Sequence, residues 1–485
     1  MSSTQVDARV DAAGAEPSGR IGHRWWLLAV IGLAQLMVVL DVTIVNIALP
    51  SAQEDLGFSD DGRQWVITAY ALAFGSLLLL GGRIADLFGR KWTFIAGLLG
   101  FAGASALGGA ATSFAMLISA RALQGMFGAL LAPAALSLLT TTFTDPTERG
   151  KAFSVYAAIA GMGGAIGLLL GGALTETLGW RWCLFVSIAF AVPAALAGAR
   201  LLVHVPATSR PKLDLLGVLL ASSGLLALVF GLSRAESDGW GDTATVVSLA
   251  LSAPLLIAFV AWQRRAPQPL LPLRVVADRD RGGSFLAIAF ATAGLFGVFL
   301  FLTYYLQVTK GFSAMETGLA FLPISFSIAP TVAIVSTRIL PRTGPRPLVP
   351  LGMVTGAAGM LLLTRIGVDT GYASHVLPAL VLIGIGFGLT VAPAFATATH
   401  KIPPRDSGVA SATVNTSQQI GGSIGTALLS TVAASAATPV DGYTDAFTWA
   451  AGILLVGALV CGALLRSNSR PAAASGPARG VKVPT

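Results

Sequence analysis

Apolar stretches long enough to cross a bilayer recur along the whole chain, separated by short polar loops. A hydrocarbon core about 30 Å thick takes about 20 consecutive apolar residues as a helix. In lipid every backbone group must be paired within the segment, so serial runs of this kind fold as a helical bundle. The runs are 25–49, 65–82, 92–111, 113–140, 152–174, 183–203, 214–233, 243–262, 284–307, 315–337, 348–366, 375–398, 406–434 and 444–465. The expected fold class is an all-α integral membrane protein with 14 transmembrane helices. Only 11% of residues are charged, against about 25% in soluble domains. Tryptophans such as Trp25, Trp65, Trp180 and Trp262 fall near run ends, where interfacial aromatics belong.

With the N-terminus inside, 25 of the 31 Lys and Arg fall on the cytoplasmic side. Five lie outside (Arg63, Arg181, Arg234, Lys310, Arg365) and Arg121 lies within the membrane. This obeys the positive-inside rule and places both termini in the cytoplasm of a multi-pass plasma (inner) membrane protein. The net charge of +8 is spread over short loops, which excludes a nucleic-acid-binding domain. Residues 1–24 lack the order of a signal peptide. Cys183 and Cys461 both sit inside apolar runs, so neither a disulfide framework nor a CxxC metal site is expected.

A weak repeat divides the chain. Gly82 to Lys91 joins runs two and three, and Thr337 to Arg346 joins runs ten and eleven, 255 residues later. Parallel repeats of this kind typify two-bundle transporters. The expected organisation is a cytoplasmic tail 1–24, a six-helix bundle 25–205, two linking helices 206–265, a cytoplasmic loop 266–283, a second six-helix bundle 284–466 and a disordered tail 467–485.

Two charges lie deep inside runs, Asp41 and Arg121. An ionised group there costs at least about 2.5–3.5 kcal/mol and is kept when paired or when it lines a path. Asp41 is eight residues from the outer end of run one, and Arg121 is eight residues from the outer end of run four. Both therefore lie roughly 12 Å deep in antiparallel helices. They are expected to pair and to couple protons, since a neighbouring guanidinium and burial push a carboxyl in opposite directions. A purely structural ion pair is the alternative.

Small and polar residues supply further signals. Gly163, Gly167 and Gly171, with Gly172, give run five a smooth face for close helix packing. Ser411, Asn415, Gln418, Gly422 and Thr426 share one face of run thirteen, facing either a cavity or another helix. Tyr304-Tyr305-Leu306-Gln307, with Phe296 and Phe301, could line an aromatic pocket or pack as core.

These residues resemble a family. Leu40 to Pro50 (LDVTIVNIALP) is similar to the first-span motif of the fourteen-span drug:proton antiporters, the EmrB/QacA-type branch of the major facilitator superfamily. Gly82 to Lys91 resembles the superfamily loop motif, with Leu87 departing from the usual cation. Arg121 to Gly125 resembles the fourth-span motif, whose Arg is implicated in proton coupling. Run five departs from the pattern, with Leu168 where the branch carries proline. The resemblance spans residues 25–466 and implies a major facilitator fold of two six-helix bundles plus two inserted helices. It implies proton coupling through Asp41 and Arg121, and a cytoplasmic gate of Asp86, Gly89, Arg90 and Lys91. The expected substrate cavity comprises Asp41, Asn46, Gln124, Phe296, Tyr304, Asn415 and Gln418.

Rival classes lack their residues. Four scattered histidines, with no HExxH or GxSxG, argue against a membrane enzyme. No GxxxxGK[ST] is present for an ATP-driven pump. The reading is a proton-coupled exporter of lipophilic drugs or metabolites, cations among them, working by alternating access. Its partners are the substrate, protons and the bilayer; a monomer is expected, with no cofactor, no metal and no enzymatic step. The alternatives are a dedicated exporter of one self-made metabolite or antibiotic, and a non-transporting sensor or lipid-binding scaffold.

Overall fold

The computed structural model describes residues 19–58, 60–202, 213–400 and 402–466, and all regular structure among them is helical. Helices α1 Gly19–Leu56, α2 Asp60–Phe88, α3 Arg90–Gly109, α4 Phe114–Thr142, α5 Pro146–Thr177 and α6 Arg181–Leu201 form a first group. Helices α7 Leu215–Ser237 and α8 Thr243–Gln263 follow. The second group is α9 Arg279–Tyr304, α10 (Ala314–Ala320 and Leu322–Ile334, running on to Thr343), α11 Pro345–Leu363, α12 Leu377–Ala398, α13 Ser407–Ala434 and α14 Pro439–Leu464.

Twelve described helices are long and apolar enough to cross a membrane. The expected 14 spans are not met on this measure. The Ser/Thr/Asn/Gln residues of α13 dilute its apolar character, and α5, several of whose side chains lie outside the described residues, is not among the twelve. Run ends also shift. The helix begins at Gly19 inside the expected tail, and passes Pro50 to reach Leu56. Proline removes one backbone donor, and membrane bundles tolerate that loss where neighbours repair it. The tail 467–485 lies outside the described residues, as does the linker 203–212.

Helix ends are set by short polar side chains. Ser113 accepts from the Met116 N–H, Asp242 from Thr245 and Asp278 from Arg281, each supplying an acceptor that the first turn lacks. Ser313 and Glu316 form a reciprocal capping box. In both copies of the loop repeat a glycine takes the left-handed backbone between helices, Gly89 at φ 91° and Gly344 at φ 74°. Glycine alone adopts this without strain.

Each half is stitched by a glycine seam. On α5, a Cβ at Gly163 would meet Val39 at 2.5 Å, and one at Gly171 would meet Ile44 at 3.0 Å. On α13, a Cβ at Gly425 would meet the Ala293 carbonyl at 2.5 Å, and Gly421 abuts Ala289 in the same way. The sequences agree: Gly163-Gly164-Ala165-Ile166-Gly167 matches Gly421-Gly422-Ser423-Ile424-Gly425, 258 residues on. This second register of the repeat is stronger than the loop match. The α5 helix runs unbroken through Leu168.

The pair α7–α8 lies beside α2 and α13, two of the helices at which the two groups meet. At its far end Thr68 of α2 bonds Ser233 of α7 at 3.0 Å, and Trp240 donates to Thr431 of α13 at 2.6 Å. At the near end Asp214 gathers donors from Gly217, Trp262, Gln263 and Leu270. Burial raises the Asp214 carboxyl, but these hydrogen bonds outweigh it and hold the group below the usual carboxylate range.

Candidate functional site

The helices alternate in direction, so α1 begins and α14 ends on one face, called here the terminal face; the opposite face is the distal one. Two polar arrangements stand out: a network inside the first group, and a seam between groups at the terminal face.

The network centres on Asp41. Helix α1 brings it to the depth at which α4, running the other way, presents Arg121. The Arg121 Nη1 lies 2.6 Å from Asp41 Oδ2. Gln124, one turn along α4, donates to Asp41 Oδ1 at 2.8 Å, while its own Oε1 accepts from Arg121 at 2.8 Å. Ser105 of α3 accepts a further Gln124 N–H, and the Val66 carbonyl of α2 accepts from Arg121 Nε. The guanidinium also stands 4.6 Å over the Tyr70 ring, a favourable cation–π position. Asp41 is 1% exposed, Arg121 2% and Gln124 0%. A buried charge pair holds only when its remaining valences are satisfied, and here each carboxylate oxygen has its donor.

Gln124, expected from sequence in the substrate cavity with Asp41, lies in this enclosed network. Its spacing of three from Arg121 was the available signal. Ser105 and the Val66 carbonyl carried none. Asn46, Phe296 and Tyr304 are exposed on the helix surfaces. Phe301 and Tyr305 are buried within the second group, where the Tyr305 hydroxyl donates to the Gly367 carbonyl at 3.0 Å. The Tyr304-Tyr305 pair marks where α9 widens into a π-helical turn, Tyr305–Thr309.

The seam joins the groups at the terminal face. Asp86, near the end of α2, accepts the N–H of Gly408 at 3.0 Å and of Val409 at 3.2 Å. These are first-turn donors of α13. Asp406 occupies the N-cap position but makes no cap of its own, because its carboxylate turns to Arg274 at 2.6 Å. Asp86 therefore caps a helix of the other group, a favourable place for an acid. Arg90 follows at 3.8 Å from Asp86. Lys91 goes elsewhere: its ammonium binds the Ala199 and Leu202 carbonyls, both at 2.7 Å, and closes the end of α6. A lysine is well suited to a helix C-terminus.

Several seam residues were not read from sequence. Ser137 of α4 meets Ser407 of α13 at 2.8 Å. Arg149 of α5 donates to Thr399 at 2.7 Å, and Ser154 to the Val332 carbonyl of α10 at 3.3 Å. Along α13, Asn415 donates to its own helix at the Ser411 carbonyl, and the buried Ser411 hydroxyl has no partner. No group of three or more metal-ligating side chains occurs among the described residues.

Comparison with known proteins adds findings of three kinds. A family model described as Major Facilitator Superfamily matches residues 31–426. The puromycin resistance protein pur8 of Streptomyces alboniger is 51% identical, with 97% of each chain covered. The cephamycin export protein CmcT of Amycolatopsis lactamdurans is 38% identical over 94% of this chain and 96% of its own. The multidrug efflux pump LfrA of Mycolicibacterium smegmatis is 30% identical over 84% and 80%. Among solved structures, the human organic anion transporter MFSD10 superposes with a TM-score of 0.65 at 17% identity, covering 92% of this chain and 100% of that one. At that identity the likeness concerns the fold alone.

Proposed function

The chain belongs to the major facilitator superfamily, and we propose that it is a non-enzymatic secondary transporter that exports drugs or antibiotics, driven by protons. The relatives' names supply the class of load. The observation that carries the driving force is the enclosed Asp41–Arg121–Gln124 network. A carboxyl whose charge is balanced only by fixed neighbours can change protonation when its access changes sides.

The finer reading is a fourteen-span drug:proton antiporter with both termini in the cytoplasm. Helices α5 and α13 are as long as their neighbours and lie against α1 and α9, so protein rather than lipid covers their glycine and polar faces. Loop cations favour the terminal face as the cytoplasmic one. The two six-helix groups would then rock about the seam, with α7–α8 inserted at its flank.

Efflux of a fluorescent lipophilic probe from cells expressing the full chain tests the core reading. Export should stop when a protonophore collapses the gradient. Efflux that persists under the protonophore would sink proton coupling.

The seam works as the cytoplasmic gate in this reading. In Asp86→Asn one oxygen still accepts an N–H, but the charge that favours the α13 N-terminus is gone, a loss of about 0.3–2 kcal/mol. Transport should fall severalfold with expression unchanged. Normal transport by a well-expressed Asp86→Asn protein removes this residue from the gate.

A further inference from the structure

We propose that the exported substrate is uncharged, that hydrogen-bonding groups on α13 around Ser411 recognise it, and that Asp41 serves protons alone. This rests on the proton-driven exporter reading and sharpens it.

A cationic load of the kind considered from sequence requires an acid that substrate and proton can share. Among the described residues Asp41 is the only candidate. Every other Asp or Glu in the described helices lies within two turns of a helix end. Asp41 is committed: Arg121 takes one oxygen and Gln124 the other, and the network's partners all come from α1 to α4. It is enclosed within the first group, away from the contact between groups. A cation entering between the groups would meet no free carboxylate, and Arg121 would repel it.

The contact between groups offers neutral polar atoms instead. Ser407 of α13 meets Ser137 of α4, and Gln419 packs on Gly75 of α2. Helical spacing puts Ser411, Asn415 and Gln418 in the sector between those two directions. Ser411 lies one turn deeper than the Ser137–Ser407 contact, so parting the seam uncovers it from the terminal face. Its hydroxyl is fully buried without a partner, an unfavourable state that a hydrogen-bonding guest relieves. The polar stripe does not act as interhelical glue at this point.

An uncharged load changes the energetics of exchange. One proton entering per neutral molecule leaving moves one charge inward. The membrane potential alone then drives export, by about fiftyfold in concentration ratio per 100 mV and per proton. Exchange of a univalent cation for one proton would move no net charge.

The test uses the full chain in liposomes and two probes sharing one lipophilic fluorophore. One probe ends in a hydroxyethyl amide, the other in a trimethylammonium group. With equal pH on both sides and an imposed potassium diffusion potential, the amide probe should accumulate towards the fiftyfold limit, and the cationic probe should not be carried. Ser411→Ala should raise the amide probe's KM about fivefold, the loss of one hydrogen bond. It should leave unchanged the KM of the analogue whose hydroxyethyl amide is replaced by a plain butyl chain, which offers Ser411 no hydrogen-bonding group. Carriage of the cationic probe at the amide probe's rate or faster overturns the proposal but leaves a proton-driven exporter. An unchanged KM in Ser411→Ala overturns the recognition surface. Transport of neither probe, joined to protonophore-insensitive efflux in cells, sinks the exporter reading and this proposal with it.

Discussion

Asp41→Asn is expected to reduce uphill export to the level of cells lacking the protein, the largest functional effect of any single substitution. The amide keeps the size of the carboxylate and can still accept from Arg121, but it cannot take up or release a proton. A proton moving through 100 mV supplies about 2.3 kcal/mol, and the variant has no means of collecting it. Downhill exchange of labelled substrate between equal pools needs no proton and should persist. Removing one partner of a buried ion pair destabilises by as much as about 3–5 kcal/mol. Here the retained Gln124 and Val66 contacts with Arg121 should keep the loss below that range. Exchange without uphill export is the result that places Asp41 in the coupling step. Full uphill export by Asp41→Asn would remove it from the mechanism.

The second large effect separates two adjacent glycines on α2. A Cβ at Gly82 would lie 2.5 Å from the Gly408 carbonyl oxygen and 2.6 Å from the Ala412 Cβ, across the seam between groups. A Cβ at Gly81 would collide with the Ala129 carbonyl of α4, within the first group. Gly82→Ala therefore opposes only the closed seam. Overpacking of about 1–3 kcal/mol lowers the closed population roughly 5- to 150-fold. Gly82→Ala should express normally and lose most transport. A Ser137→Cys reporter at the seam should label faster with an impermeant thiol reagent in inside-out vesicles. The native Cys183 and Cys461 are buried and should contribute little background. Gly81→Ala should instead lower expression and thermal stability, because its clash is present in every state. Equal stability losses in both variants would mean that the seam does not open as proposed.

The depth of Asp41 and Arg121 could be counted from sequence because helical rise is constant and lipid thickness fixes the ends. Their pairing followed from equal depth in antiparallel helices. Gln124 could not be placed by such counting. Whether a side chain on α4 faces a shared cavity or its own group depends on how the helix is rotated about its axis, and packing against α3 and α2 sets that. Lys91 shows the same limit: a cation after Arg90 read as part of the gate, but the end of α6 lay closer and offered two unpaired carbonyls. The cross-capping of α13 by Asp86 follows from a competition. Asp406 would cap its own helix if Arg274, 132 residues earlier, did not hold it.

By itself the sequence determined that this is a helical membrane protein, where its helices begin and end to within a turn or two, and which two charges lie deep in its apolar spans. These follow from local physics: the apolar length lipid demands, the residues that cap and break helices, and the charge asymmetry of loops. Tertiary structure alone decided which face of each helix meets which neighbour. It closed the Asp41–Arg121–Gln124 network inside one group, left the Ser411 hydroxyl unpaired, and set Gly82 and Gly81 against different partners. Those outcomes rest on contacts between residues tens to hundreds of positions apart, and on the rotation of each helix about its axis, and no local rule of spacing or propensity carries that information.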